Sequence, residues 1–310
     1  MGSGNVLNVQ LMMFIEIAIG FILKKTKIIS DAGKQEITTL IVDILLPCNI
    51  ISSFYIPMDG SVIRNGIQVL IISIMIQVFY GVISATCYNW VRDRKKAVLQ
   101  YGTVCSNAAF LGNPVTEGLY GAIGPLYASI YLIPQRIVMW TAGLTYYTAD
   151  PNQSKKEALM KVLKHPTIIA VGIGMVLMVT QLQLPNCVER VVNGLGGCCT
   201  PIVMLVIGMT MAQADWKTLV SKEALYFSLF RLLLIPGVVF AGCLLAGVEG
   251  TAAGICTILA AMPAGSTTVI LAARYHVEEE FAGKCVVFST LLSMVMIPVW
   301  SMILNLAFCG

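Results

Sequence analysis

The sequence predicts an all-α polytopic membrane protein. Ten transmembrane helices are expected, as two inverted five-helix repeats with broken crossover helices 4 and 9. Three observations predict this. Of 310 residues, 57% are apolar and 12% are Asp, Glu, Lys or Arg, against roughly 45–50% and 25% in soluble domains. So few charges do not cover a soluble surface, which excludes a soluble enzyme, a disordered chain and a nucleic-acid binder. Lys and Arg gather in alternate loops. Paired Gly and Pro interruptions fall at the centres of two spans, one in each half.

A hydrocarbon layer about 30 Å thick takes about 20 helical residues. Apolar runs between charge clusters place the spans at roughly 5–23, 37–55, 65–90, 98–120, 125–149, 163–183, 187–212, 223–246, 251–273 and 281–308. The first is not a cleaved signal, because Lys24, Lys25 and Lys27 follow its apolar run instead of preceding it. The net charge of +4 is a topology signal. Lys24, Lys25, Lys27 and Lys34 fill loop 1–2, and Arg92, Arg94, Lys95 and Lys96 fill loop 3–4. Lys155, Lys156, Lys161 and Lys164 lie in loop 5–6, Lys217 and Lys222 in loop 7–8, Arg274 and Lys284 in loop 9–10. The other loops hold only Arg64 and Arg190. The positive-inside rule makes the populated loops cytoplasmic, so both termini face outside a multi-pass plasma-membrane protein.

The longest charged linker divides the chain into residues 1–149, a cytoplasmic linker at 150–162, and residues 163–310. Five spans per half reverse the orientation of the second half, which is the inverted-repeat plan of many secondary transporters. The halves are faintly similar in register. Pro47 matches Pro201, and the stretch from Cys105 to Pro114 matches that from Cys256 to Gly265.

Gly112 with Pro114, and Pro263 with Gly265, interrupt spans 4 and 9. Proline removes a backbone donor and clashes with the preceding turn. Non-helical backbone survives at membrane depth only when buried or lining a cavity, so these residues mark a binding site at the crossing point. The positive ends of the half-helices there favour an anion. The lone Pro134, Pro236 and Pro298 read as kinks.

Ionisable residues inside spans are functional candidates by default. Arg136 lies about eleven residues, or about 16 Å, into span 5, and its planar fork suits a carboxylate. It is expected to bind the substrate anion together with Asn107, the half-helix ends and Ser266. The alternative is an internal ion pair with Glu117 or Glu16. Glu117, Asp43 and Glu16 are candidates for carrying a coupling proton, or for structural pairing. Arg231, about two turns from the cytoplasmic end of span 8, is expected to snorkel to the interface. His165 and His276 fall in loops. The ten cysteines show no metal-ligand spacing and read as free thiols, with the vicinal Cys198–Cys199 pair a weak redox candidate. No GxGD, HExxH or GxSxG motif is present, so no enzyme, metal or cofactor is expected.

The stretch Asn107-Ala-Ala-Phe-Leu-Gly-Asn-Pro-Val115 resembles the span 4 motif of the auxin efflux carrier family. Met262 to Glu278 resembles the second crossover helix and its following loop. Lys164 to Gly174, Arg231 to Pro236, and Ser289 to Pro298 are also similar, so the resemblance covers nearly the whole chain. It implies a scaffold of spans 1, 2, 6 and 7 carrying a transport bundle, in a homodimer whose interface Gly194-Leu-Gly-Gly197 would serve. The short linker fits bacterial permeases for malate, malonate and related organic acids, and so a bacterial inner membrane. His165-Pro166-Thr167 stands where plant exporters resemble Asn-Pro-Asn. The expected function is secondary active transport of small organic anions by alternating access, coupled to protons, to sodium or to neither. An auxin-like weak-acid exporter and an uncoupled anion channel or sensor are the alternatives.

Overall fold

The computed structural model describes residues 3–54, 60–91, 94–140, 142–147, 164, 166–213 and 219–308. The 150–162 linker, His165, and several loop cations (Arg92, Lys155, Lys156, Lys161 and Lys217) lie outside them. Among the described residues the regular structure is helical. In chain order the helices are α1 (Ser3–Lys25), α2 (Asp31–Leu40 and Leu46–Ser53 joined by a π-turn), α3 (Gly60–Thr86), α4 (Lys95–Val104), α5 (Asn113–Tyr120) and α6 (Ile123–Trp140). Then come α7 (Pro166–Thr180), α8 (Asn186–Ala212), α9 (Lys222–Leu229 and Ile235–Leu245, again joined by a π-turn), α10 (Gly250–Ala260), α11 (Thr267–Arg274) and α12 (Glu279–Phe308). Helix occupies part of every stretch expected to span. Five helices, α2, α3, α8, α9 and α12, are long and apolar enough to cross a membrane; α7 and α10 contain shorter apolar helices.

α3 is inside-out relative to a helix on the surface of a soluble protein. On α3, Ile71, Met75, Val78 and Val82 are exposed while Ser73, Gln77, Tyr80 and Ser84 are buried. The apolar stripe is what lipid solvates, and the polar stripe is what neighbouring helices satisfy. The chain is a multi-pass membrane protein.

One group of helices packs through close backbone contact. α1 lies along α8, and α2 touches both α7 and α8. A Cβ at Gly20 would fall 2.1 Å from the Leu205 carbonyl oxygen, and one at Gly208 would fall 2.0 Å from that of Ile17. Only glycine allows these backbones to meet. α3 packs on α6, and α9 packs on α10 and α12, around the broken helices. Polar contacts join residues near the helix ends. Lys34 donates to Gln213 Oε1 at 2.5 Å, and Arg94 reaches the His276 carbonyl at 3.5 Å. Arg64 pairs with Glu249 at 3.1 Å.

Three π-turns interrupt the helices, at Ile41–Leu45, Ala108–Gly112 and Phe230–Leu234. Each is followed two positions later by a proline: Pro47, Pro114 and Pro236. A proline ring collides with the carbonyl one turn earlier in an α-helix, and the wider π-turn moves that carbonyl aside. Pro134, Pro201 and Pro298 instead lie inside continuous α-helix. The described cysteines are all free.

Candidate functional site

α4 ends at Val104, and Cys105 leaves it in an extended conformation. α10 ends at Ala260. The two unwound segments cross antiparallel, with Ser106 opposite Ala264. The Asn107 amide donates to the Pro263 carbonyl at 2.7 Å, and the Gly265 amide donates to the Cys105 carbonyl at 2.9 Å. Each break thus satisfies the other's backbone, as buried non-helical chain requires.

Side chains from flanking helices complete the count. On α6, Gln135 donates to the Ser106 carbonyl at 2.9 Å and accepts from the Ser106 hydroxyl at 2.8 Å. On α12, the Ser289 hydroxyl accepts from the Ala264 amide at 3.2 Å. Gln77 of α3 donates to the Val104 carbonyl at 2.9 Å. Arg231 of α9 donates from Nε to the Met262 carbonyl and from Nη1 to the Thr103 carbonyl, both at 3.1 Å.

A cavity of about 90 Å³ opens beside the crossing. Cys105, Ser106, Asn107, Gln135, Arg136 and Gly265 to Thr267 line it, with apolar walls from Val42, Leu46, Phe110, Leu132 and Met139. Arg136 is its only charged lining residue and is 6% exposed. Neither Nη1 nor Nη2 of Arg136 has a hydrogen-bond partner, and Asn107 Oδ1 has none either. An unpartnered buried guanidinium is costly, and a carboxylate that enters the cavity relieves it with paired, charge-assisted hydrogen bonds. The π-turn at Ala108–Gly112 and the α11 helix both begin at this cavity, so their positive ends face the same point.

The expected site residues divide. Asn107, Arg136, Gly265 and Ser266 line the cavity. Gly112, Pro114 and Pro263 do not. Gly112 is packing, because a Cβ there would sit 2.6 Å from Leu259 Cδ2 on the other broken helix. Pro114 follows two positions after the Ala108–Gly112 π-turn, which clears room for its ring. Pro263 contributes its carbonyl to the crossing. The chain therefore breaks at Cys105–Asn107, nearly two turns before the Gly112–Pro114 pair.

The acidic candidates stand apart. Glu117 and Asp43 are exposed and Glu16 is half-buried, and none of the three lines the cavity. Among the described residues no carboxylate pairs with Arg136, so the ion-pair alternative with Glu117 or Glu16 does not form. Arg231 does not snorkel. It is 0% exposed, with its guanidinium carbon 4.6 Å from the centre of the Tyr80 ring. A second cavity of about 320 Å³ lies between Tyr120, Glu249, Thr251 and Asn305, and no residue of the breaks lines it.

Sequence reasoning missed Gln77, Gln135 and Ser289. The available signal was a polar side chain inside an apolar span, weaker than a charge but governed by the same cost.

Comparison with known proteins bears on this geometry. Residues 3–301 match the model of the family described as membrane transport protein. The chain belongs to that family. It is the family of the auxin efflux carriers, to which the motifs pointed. Two curated relatives are similar over nearly their full lengths. An uncharacterized transporter of Methanothermobacter thermautotrophicus is 24% identical over 95% of this chain and 97% of its own. Another, of Methanocaldococcus jannaschii, is 20% identical over 96% of this chain and 98% of its own. The family is one of membrane transport proteins, and both relatives carry the name of transporter.

Proposed function

We propose that this membrane transport protein is a secondary carrier of small organic anions, carboxylates such as malate or malonate, working by alternating access at the crossover. The observation that carries this reading is Arg136, which lines the cavity beside the crossing and has both terminal nitrogens buried and unpartnered. Its guanidinium binds the carboxylate. Asn107 and Ser266 complete the polar contacts, Gly265 lets the two chains approach, and Gly112, Pro114 and Pro263 hold the breaks in shape. Glu117, Asp43 and Glu16 lie outside the binding cavity, so any proton they carried would act at a distance from the substrate.

The architecture proposed is ten spans in two inverted halves, 1–149 and 163–310, joined by a cytoplasmic linker at 150–162. Four pairs of residues at matching positions support it. Gly20 meets α8 as Gly174 meets α2. Pro47 corresponds to Pro201. Gln77 and Arg231 bind the carbonyls that end the first half-helices, and Gln135 and Ser289 bind the crossing residues. All four pairs lie at one constant interval in the sequence; Ser106 and Ala264 fall about one helical turn off it. Both termini then face outside the cell membrane. A homodimer would use the face carrying Gly194 and Gly197, beside which nothing packs in the single chain.

The test is counterflow of radiolabelled malate or malonate in proteoliposomes. Native protein should show counterflow, and Arg136→Gln should lose it while still inserting and folding. Equal counterflow by both proteins would sink the site, and carboxylate flux without counterflow would make the protein a channel.

A further inference from the structure

The four side chains that brace the crossing are not equivalent in charge. Gln77, Gln135 and Ser289 are neutral, whereas Arg231, the counterpart of Gln77, carries a fixed positive charge. It sits where the chain would otherwise present bare carbonyls. Thr103 lies in the last turn of α4, and Met262 lies just past the end of α10. Both are negative ends of half-helices. Carbonyls exposed at such ends are where a transporter holds a coupling cation. Here one guanidinium spans the two halves, bonding the Thr103 and Met262 carbonyls at 3.1 Å each, and Gln77 takes the neighbouring Val104 carbonyl at 2.9 Å. Tyr80 covers the face of the guanidinium at 4.6 Å. Nη2 has no partner, and among the described residues no carboxylate pairs with Arg231, so what balances its charge is these carbonyl dipoles and the ring.

We propose that Arg231 is a resident cation, occupying from within the chain the carbonyl site that a coupling sodium ion would need, so that the carrier binds its anion without sodium. A guanidinium remains protonated across the physiological pH range. Arg231 is tethered by its own backbone and opens no vacancy for a metal ion. The crossover is polarised. Its cation place is permanently filled by Arg231, and its anion place, at Arg136, is left to the substrate. This rests on the carboxylate-carrier reading for its meaning in transport, but the occupancy of the carbonyls is a separate matter and is tested separately.

The experiment compares the melting temperature of the purified full chain in sodium chloride and in choline chloride at equal ionic strength, first without any carboxylate. Specific binding to the folded state raises that temperature. Native protein and Arg231→Lys, which both keep a cation, should melt alike in the two salts. Arg231→Gln keeps a donor but vacates one carbonyl and removes the charge, and it should melt several degrees higher in sodium. The titration is then repeated with malonate on native protein, where the apparent affinity should be the same in both salts. Sodium-dependent melting of the native protein, or a several-fold gain in its malonate affinity with sodium, would overturn the proposal. So would an Arg231→Gln protein no more responsive to sodium than the native one, since a merely structural arginine leaves no sodium site behind. If Arg231→Gln does not fold, the two native comparisons decide. Failure of malonate and other carboxylates to bind counts against the carrier reading and leaves the salt comparison intact.

Discussion

Arg136 and Arg231 are both arginines buried in the helical bundle, and both lie within one residue or one hydrogen bond of the crossing. Their surroundings differ in kind. Arg231 has two carbonyl acceptors and an aromatic face, and of its nitrogens Nη2 is left without a partner. The two terminal nitrogens of Arg136 have no partner, and the residue lines the cavity. Both are buried, so burial does not tell a structural charge from a binding one. The partners do. A charge that the fold has already satisfied holds the fold together, and one that it leaves unsatisfied is held ready for something that arrives.

The comparison can be broken most directly by truncating each arginine. Arg231→Ala orphans two buried carbonyls, at about 1–3 kcal/mol each, and should lower stability by about 3–5 kcal/mol in thermal unfolding. Arg136→Ala removes an uncompensated buried charge and should leave stability unchanged or raise it. Equal destabilisation by both would erase the distinction. For carboxylate affinity the ranking reverses. Loss of the Arg136 bonds should cost about 3 kcal/mol, roughly 100-fold in dissociation constant, read by thermal-shift titration. Gln135→Ala sharpens the contrast from the neighbouring position, because it frees the Ser106 carbonyl. It should cost about 2 kcal/mol in stability and also weaken binding, as its side chain both braces the break and lines the cavity. Gln77→Leu removes one neutral bond from the position equivalent to Arg231, and about 1 kcal/mol should be lost in the same unfolding assay. Arg64→Ala supplies the baseline. Its pair with Glu249 is solvent-exposed on both sides, and the change should stay below about 0.5 kcal/mol.

Much of this arrangement was legible in the sequence. The scarcity and spacing of charges located the helical stretches, and paired Gly and Pro residues picked out the two helices that break. Arg136 was recognisable because its distance from both ends of an apolar run is a property of the sequence itself. Arg231 was misread for a related reason. Two turns from a span end, a long side chain ordinarily reaches water, and nothing local reveals that two carbonyls from distant segments wait beside it. The position of the first break was displaced for a physical reason too. Proline and glycine mark where a helix can begin again or be approached closely, while the unwinding itself occurs where another chain supplies hydrogen bonds. Glu117 and Asp43 were candidates from depth alone, and which side of the helix they face depends on packing that the sequence leaves open.

The bridge between Ser106 and Ala264 also has a consequence for biosynthesis. The backbone groups exposed when α4 unwinds find their partners in Pro263 and Gly265, which the ribosome delivers only after most of the second half has been made. Until then the first half carries an unfinished strand-like segment at membrane depth. The final step of assembly is therefore a long-range closure of the slow kind expected for contacts distant in sequence. The two halves, expressed as separate polypeptides, should each remain incomplete until they meet.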